Sequence, residues 1–288
     1  MKSSTLALAI AAPFCWGTGL TLVKPVANHF PPIFLMLLLY AAVAIVSVLT
    51  VRHRINTSWK ALVLISSLSV TIQGALLFWG IRGVDATTAN LVLQTQVPIA
   101  IFLGWLIGGE TLNVRKLIGM AIALAGVTIV IGLPEKRPDL LSVALILVSG
   151  FFWALGQVLV RKLSQDDGIV LLKANALYAV PQLILATALF ETGQWQSVQS
   201  ASLTQWANLL FVAFIGSYLA YIAWYSLLRR VRMDEAAPFI LLMTPIGVLT
   251  AVVVLGEQLS LAQVIGGTVL LVGLAIVNDL VPRRKLAA

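Results

Sequence analysis

The chain has 288 residues, of which 60% are hydrophobic and only 10% are charged, and its mean hydropathy is +0.99. Soluble domains carry about 25% charged residues, so this composition leaves too little polar surface for a water-soluble globule and indicates an integral membrane protein. The net charge of +8 is accounted for by basic loops beside membrane spans, so no nucleic-acid partner is expected. The single cysteine, Cys15, excludes an intramolecular disulfide.

Ten apolar segments follow one another along the chain, each close to the roughly 20 residues that a helix needs to cross a bilayer. They have helix length and lack the alternating pattern of an outer-membrane barrel. The first has no small-residue cleavage site behind it, so we interpret it as a retained helix and not as a signal peptide. The predicted spans 1 to 10 cover residues 4–23, 31–51, 58–81, 85–108, 114–132, 138–162, 169–190, 203–228, 234–256 and 260–281. We therefore predict an all-α fold with ten transmembrane helices.

The basic residues give this fold an orientation. If the N-terminus lies in the cytoplasm, only Lys24, Arg82, Lys136 and Arg137 of the 19 lysines and arginines fall on the outer side. The other 15 fall on the cytoplasmic side, where positive residues concentrate in membrane proteins. We predict a bacterial inner (plasma) membrane protein with both termini in the cytoplasm.

A stretch of the first half is repeated in the second, since residues 89–130 align without a gap with residues 236–277. Three pairs share an offset of 147 residues: Pro98 and Pro245, Glu110 and Glu257, and Gly119 and Gly266. Such a shared offset indicates an internal duplication. Because each half has five spans, an odd number, the second copy is inserted upside down. We predict two inverted five-helix repeats, at residues 1–133 and 134–288, as in many transporters.

Charged groups are missing from the centres of the spans. All 11 acidic residues and both histidines fall at span ends or in loops. Proton-driven carriers need a titratable group within the membrane, and a phosphate-bearing substrate would need lysine or arginine in the cavity. The sequence also lacks metal-ligand spacing, a Ser–His pair within a span and a Walker A loop. We expect no enzyme activity, no metal and no cofactor.

Neutral polar and aromatic side chains remain as candidates for a substrate cavity. Asn90 and Gln94 are four residues apart and share one helical face, although interhelical hydrogen bonding explains such amides equally well. Trp16 and Trp153 lie mid-span at matching places in the two repeats, away from the interfacial belt where tryptophan is common. The candidate substrate-binding residues are Trp16, Phe78, Trp79, Asn90, Gln94, Trp153, Gln157, Tyr178, Tyr218, Tyr221, Tyr225 and Met243.

Two prolines and two glutamates complete the motifs. Pro98 and Pro245 lie near the middle of spans 4 and 9, where each removes a backbone hydrogen bond and kinks its helix. Their symmetric placement makes a hinge as good an interpretation as a static kink. Glu110 and Glu257 end spans at opposite membrane faces, and we expect them to cap or pair locally, as Glu110 could with Arg115.

The whole chain resembles the drug/metabolite transporter superfamily with paired EamA-type domains. The resemblance rests on four features that occur in both repeats. An aromatic residue before a loop (Trp79; Trp224-Tyr225) is followed by an alanine-rich entry (Ala86 to Ala89; Ala236-Ala237). A mid-span proline (Pro98; Pro245) and a closing Gly-Glu-x-Leu (Gly109-Glu110-Thr111-Leu112; Gly256-Glu257-Gln258-Leu259) complete the set. It implies a cavity lined by spans 1, 3, 4, 6, 8 and 9, and it implies export. In size and aromatic content the chain is similar to bacterial amino-acid exporters of the YddG type.

We therefore predict an inner-membrane transporter that exports small neutral or zwitterionic metabolites, foremost amino acids including aromatic ones, by alternating access. Its partners are the small-molecule substrate and the lipid bilayer, and the sequence is compatible with a monomer. Two alternatives stay open. One is an efflux carrier for hydrophobic drugs or other metabolites, and the other is a membrane interaction protein without a transport cycle.

Overall fold

The computed structural model describes residues 3–109, 111–132, 138–166, 168–228, 230–231, 236 and 239–278, except for the side chains of Tyr225 and Leu228. Within these residues the regular elements are helices and no strand occurs. Eight helices are long and apolar enough to cross a membrane: Ser3–Ala27, Pro32–Thr50, Trp59–Arg82, Ala86–Leu106, Val114–Gly132, Leu140–Leu163, Gly168–Phe190 and Leu203–Trp224. Two shorter apolar helices, Met243–Leu255 and Leu261–Val277, follow as spans 9 and 10. The predicted all-α membrane fold with ten spans is confirmed.

Short polar side chains set where several spans begin. Each accepts a hydrogen bond from a backbone N–H of the first helical turn, which would otherwise lack a partner. The capping residues are Ser58, Asp85, Asp139, Ser202 and Ser260. At the other end of span 9, Gly256 adopts a left-handed conformation with φ 69°, which stops the helix at Leu255.

Spans 5 and 10 pack against each other along the glycines that the repeat places on both. A Cβ atom added at Gly126 would lie 2.4 Å from the backbone nitrogen of Leu270, and one at Gly273 would lie 2.3 Å from that of Ala123. Backbones can approach this closely only where side chains are absent or small. The pairing of spans 5 and 10 leaves spans 1 to 4 and 6 to 9 to form the rest of the bundle.

Candidate functional site

Spans 4 and 9 are both broken near the middle, at matching positions. In span 4 a turn at Gln94 and Thr95 separates the helices Ala86–Leu93 and Gln96–Leu106. In span 9 a turn at residues 241–242, which are 147 positions later, precedes Met243–Leu255. Each break lies three to four residues before a proline, where the missing N–H and the ring disturb the preceding turn. The helical hydrogen bonding is therefore interrupted just before Pro98 and Pro245, and the hinge role stays a prediction.

Spans 3 and 8 each contain a π-helical segment, at Ser67–Ile72 and Val212–Leu219. Each segment approaches a glycine of a neighbouring span. A Cβ added at Gly156 of span 6 would lie 2.4 Å from Cβ of Ser69, and one at Gly19 of span 1 would lie 2.8 Å from Cα of Gly216. The repeat relates these two contacts to each other. π-Helical turns occur frequently at functional sites, and nothing in the sequence predicted them here.

A hydrogen-bonded polar seam joins spans 1, 4 and 9 beside the two breaks. Nδ2 of Asn90 donates to Oγ1 of Thr21 at 3.1 Å and to the carbonyl of Ala86 at 2.8 Å. Oγ1 of Thr21 donates to the carbonyl of Gly247 at 2.9 Å, and Nε2 of Gln94 donates to Oγ1 of Thr244. The polar seam, formed by Thr21, Asn90, Gln94, Thr244 and Gly247, therefore connects the first repeat to span 9 of the second.

The polar seam is packed in this structure. Asn90 is 2% exposed and Gln94 is 7% exposed. Gly247 is essential to this contact, because a Cβ at that position would lie 2.4 Å from Oδ1 of Asn90. Both amides thus make the interhelical hydrogen bonds that the sequence left open as one interpretation. Contact with substrate requires that spans 1, 4 and 9 separate, and it stays a prediction.

An aromatic cluster lies where spans 1 and 8 meet. The ring of Trp16 is 5.4 Å from that of Tyr221 at an angle of 78°, and 5.8 Å from that of Trp224 at 56°. Tyr218 lies one turn before Tyr221, and its hydroxyl shares a hydrogen bond with Oγ1 of Thr50 in span 2. Edge-to-face rings are the arrangement that aromatic side chains prefer. The structure therefore brings Trp16 and Tyr221 together.

The remaining predicted site residues are dispersed. Trp153 packs in a separate cluster with Ile99 and Leu103 of span 4. Phe78 is buried in the main core, whereas Trp79 is 37% exposed at the predicted outer end of span 3. Three others are half-buried in spans 6, 7 and 9: Gln157, Tyr178 and Met243. The side chain of Tyr225 lies outside the described residues.

Two glutamates, Glu110 and Glu257, close the repeated motif. Glu110 lies outside the described residues. Glu257 was expected to cap or pair locally. It does act as a cap, but not a local one, because its carboxylate accepts hydrogen bonds from Ala86 and Thr87 at the start of span 4. Gln263 reinforces the contact by donating to Oδ1 of Asp85 at 2.9 Å.

Two loop carboxylates outside the spans have lowered pKa values. Hydrogen bonds from the side chain and backbone of Ser142 hold the pKa of Asp139 below its usual range. Burial acts to raise the pKa of Asp166, but hydrogen bonds from Thr57 and Asn56 outweigh it and lower that pKa as well. Both groups are therefore ionised at neutral pH; Asp139 caps the start of span 6, and Asp166 joins two loops.

Comparison with known families decides the class of protein. The family model of the EamA-like transporter family matches residues 3–132 and again residues 140–279. The chain belongs to the EamA-like transporter family. Its two tandem EamA domains confirm the predicted resemblance to the drug/metabolite transporter superfamily.

Relatives of this EamA-like chain include two proteins named "Probable amino-acid metabolite efflux pump". The one from Salmonella typhimurium is 30% identical over 93% of this chain and 93% of its own length. The one from Escherichia coli is 28% identical over 96% of this chain and 94% of its own length. A solved crystal structure covering 99% of this chain has a TM-score of 0.70 at 18% identity, and it shows that the fold is shared.

Sequence reasoning missed three members of the polar seam in this EamA-like transporter: Thr21, Thr244 and Gly247. The only available signal was a difference between the repeats. At the offset of 147, Thr244 corresponds to Val97 and Gly247 to Ala100, and at the offset of 137 Thr21 corresponds to Val158. Threonines and a glycine that one repeat has and the other lacks mark the place where the bundle is asymmetric.

Proposed function

We propose that this EamA-like transporter exports small neutral or zwitterionic metabolites, foremost amino acids including aromatic ones, by alternating access. The observation that carries the proposal is the similarity, over more than nine tenths of the chain, to relatives whose names state amino-acid metabolite efflux. The structure supports it with two features. Spans 4 and 9 break in register beside one polar seam, and this seam would present uncharged amides and hydroxyls to a ligand once spans 1, 4 and 9 separate.

An amide-lined site suits a zwitterion because it donates and accepts hydrogen bonds without holding the ligand through a full charge. The aromatic cluster of Trp16, Tyr221 and Trp224 adds a surface for a bulky side chain. Since the acidic residues lie at span ends or in loops, no residue is assigned to proton coupling. We therefore expect transport down the gradient of the substrate itself.

Liposomes containing the purified protein test this proposal. Vesicles are loaded with a labelled amino acid and diluted at matched pH, with protein-free liposomes as the control. We expect efflux of neutral amino acids without any imposed pH gradient. Efflux that occurs only with a pH gradient would overturn the uncoupled mechanism, and an absence of amino-acid flux across the panel would overturn the substrate class.

Efflux of hydrophobic drugs is a second candidate, which the aromatic cluster favours. A planar apolar compound would stack on Trp16 and Tyr221 without using the polar seam. Competition separates the two candidates, because an amino-acid carrier is inhibited by unlabelled amino acids and a drug carrier by apolar compounds. A membrane interaction protein without a transport cycle would show neither flux.

We place the chain in a bacterial inner membrane with both termini in the cytoplasm, on the distribution of its lysines and arginines. We assign the repeats to residues 1–133 and 134–288, and we expect that a monomer suffices for transport. Reactivity of single cysteines in the loops toward a membrane-impermeant reagent tests the orientation.

A further inference from the structure

A second pocket lies away from the polar seam, at the predicted outer end of the bundle. It is a cavity of about 550 Å³ between the loop after span 1, the end of span 3 and the loop between spans 7 and 8. Pockets for small molecules have volumes of about 300–1,000 Å³. We call it the outer pocket, and its lining includes His29, Trp79, Arg82, Phe190, Glu191 and Gln196.

The outer pocket is larger than its counterpart at the other end of the bundle. The inverted repeat relates it to a cavity of about 390 Å³ lined by His53, Arg54 and Asp166. The difference accompanies an insertion: Tyr40 and Tyr178 differ by 138 positions, but Pro98 and Pro245 differ by 147, which leaves nine extra residues in between. The insertion lies between Tyr178 and Pro245, and the loop between spans 7 and 8 falls in that interval. This loop contains the helix Gln194–Ser200, which forms one wall of the outer pocket.

A positive group is held rigidly in this pocket. Nε of Arg82 donates to the carbonyl of Ala27 at 2.6 Å, and Nη2 donates to the carbonyl of Phe30 at 2.7 Å. A guanidinium has five N–H donors, so these two bonds leave donors for a ligand. A carboxylate is the group that fits a guanidinium fork best.

A negative group lies nearby and is held just as firmly. Oε1 of Glu191 accepts from the backbone N–H of Ile33 at 2.8 Å, and Oε2 accepts from that of Phe34 at 2.9 Å. Glu191 and Arg82 are close enough to interact electrostatically, but their hydrogen bonds in the described structure go to other groups. The pocket therefore presents two fixed, opposite charges at one place.

Opposite charges select the class of ligand. A simple anion would be repelled by Glu191 and a simple cation by Arg82, whereas a zwitterion matches both. The pocket also has an apolar wall, because Trp79 is 37% exposed and Phe190 is 72% exposed. We propose that the outer pocket binds an amino-acid zwitterion, whose carboxylate contacts Arg82, whose ammonium faces Glu191 and whose side chain packs on Trp79. This rests on the substrate class proposed above and adds a second site on the face to which the substrate is released.

Local cysteine protection tests the outer pocket without relying on transport. Gln196→Cys, made together with Cys15→Ala, places one thiol on the wall of the pocket, and the protein is reconstituted in nanodiscs. We expect L-phenylalanine to slow maleimide modification of this thiol. N-acetyl-L-phenylalanine and L-phenylalanine amide each lack one charge and should need roughly tenfold higher concentrations for the same protection. Gln199→Cys, on the same helix but outside the lining, should react at the same rate with and without ligand.

Arg82→Lys keeps the charge and loses the planar fork, so it should raise the half-protecting concentration about tenfold. Arg54→Lys, the same substitution at the opposite pocket, should leave that concentration unchanged. If Arg82→Lys fails to fold, the comparison of the three ligands on the protein with Gln196→Cys and Cys15→Ala still tests the proposal. Equal protection by all three ligands, or none by L-phenylalanine, overturns the proposal.

Flux measured on the same protein separates this proposal from the export proposal. Flux without protection of Gln196→Cys contradicts the outer pocket and leaves export standing. Protection without flux supports the outer pocket and contradicts export.

Discussion

Glu257 and Thr87 join the two repeats at the predicted outer face. Oε2 of Glu257 accepts a hydrogen bond from the backbone N–H of Thr87 at 3.0 Å and another from its hydroxyl at 2.8 Å, and Oε1 accepts from the N–H of Ala86 at 2.6 Å. These N–H groups belong to the first turn of span 4, where amides lack helical partners and the helix dipole favours a negative charge. One carboxylate therefore ties the loop after span 9 to the start of span 4.

Replacement of this carboxylate should lower stability. We expect Glu257→Ala to reduce the free energy of unfolding by about 1–3 kcal/mol, because two amides at a part-buried helix start lose their acceptor. Glu257→Gln keeps one acceptor and should lose less. The melting temperature in detergent measures both, and Gln258→Ala, an exposed neighbour, is the control. Equal melting temperatures for Glu257→Ala and Gln258→Ala would contradict the role of Glu257 as an inter-repeat cap.

The helices and their breaks could be predicted because their causes act over a few residues. Apolar runs of bilayer length specify the spans, and Pro98 and Pro245 remove hydrogen bonds within their own helices. The partners of Glu257 could not be predicted, because residues 171 and 170 positions away reach it only through tertiary packing. Local pairing was the natural expectation for an interfacial acid.

The aromatic residues show why a sequence match does not guarantee a matching environment. Trp16 and Trp153 correspond in the repeats, but Trp16 packs on Tyr221 and Trp224. At the offset of 147 those two positions correspond to Gly74 and Leu77 in span 3. Trp153 therefore has no equivalent aromatic partners there and packs on span 4 instead.

The two glycines opposite the π-helical segments should not tolerate a methyl group. We expect Gly19→Ala and Gly156→Ala to destabilise the protein by about 1–3 kcal/mol each, because the added Cβ overlaps Gly216 or Ser69. Gly132→Ala is the control, since among the described residues no atom beyond its own stretch of helix lies within 4 Å of its Cβ position, and alanine favours the helix. Thermal unfolding in detergent checks the set, and a loss at Gly132 as large as at Gly156 would contradict the packing argument.

Two variants of the polar seam should distinguish a role of Gln94 in substrate binding from a role in helix packing. Gln94→Leu introduces the residue that the second repeat carries at Leu241, and Thr244→Val removes the hydroxyl that Gln94 binds. Each should cost only about 0.6 kcal/mol of stability, as expected for one interhelical hydrogen bond. If Gln94 also contacts substrate, Gln94→Leu raises the KM for amino-acid flux several-fold more than Thr244→Val does. Identical KM values for the two variants would restrict Gln94 to a structural role.

Acid should weaken the contact between the loop after span 2 and the loop after span 6, at the predicted cytoplasmic face. Oδ1 and Oδ2 of Asp166 accept from the backbone N–H groups of Asn56 at 2.8 Å and Thr57 at 2.9 Å, and the pKa of Asp166 is lowered. A carboxyl whose pKa is lower in the folded state stabilises the protein above its unfolded pKa of about 3.9 and loses this effect as pH falls through the folded pKa. Asp166→Asn should therefore melt below the parent at pH 7, and this gap should begin to narrow as the pH falls below about 4. A melting-temperature gap that stays constant over this range would contradict the assignment, and Gln165→Ala controls for the loop.

The prolines beside the helix breaks should matter for flux more than for stability. In Pro98→Ala and Pro245→Ala, the new N–H can bond to the carbonyl four residues earlier, which straightens the helix and favours folding. If the breaks at Gln94 and Leu241 are hinges, a straighter helix resists the change between the two access states, and we expect flux to fall roughly tenfold. Pro181→Ala in span 7, which has a proline within an unbroken helix, is the matched control and should keep its flux. Liposome efflux of a labelled amino acid measures all three. If the first two variants transport as fast as Pro181→Ala, the breaks are static kinks and the hinge assignment is wrong.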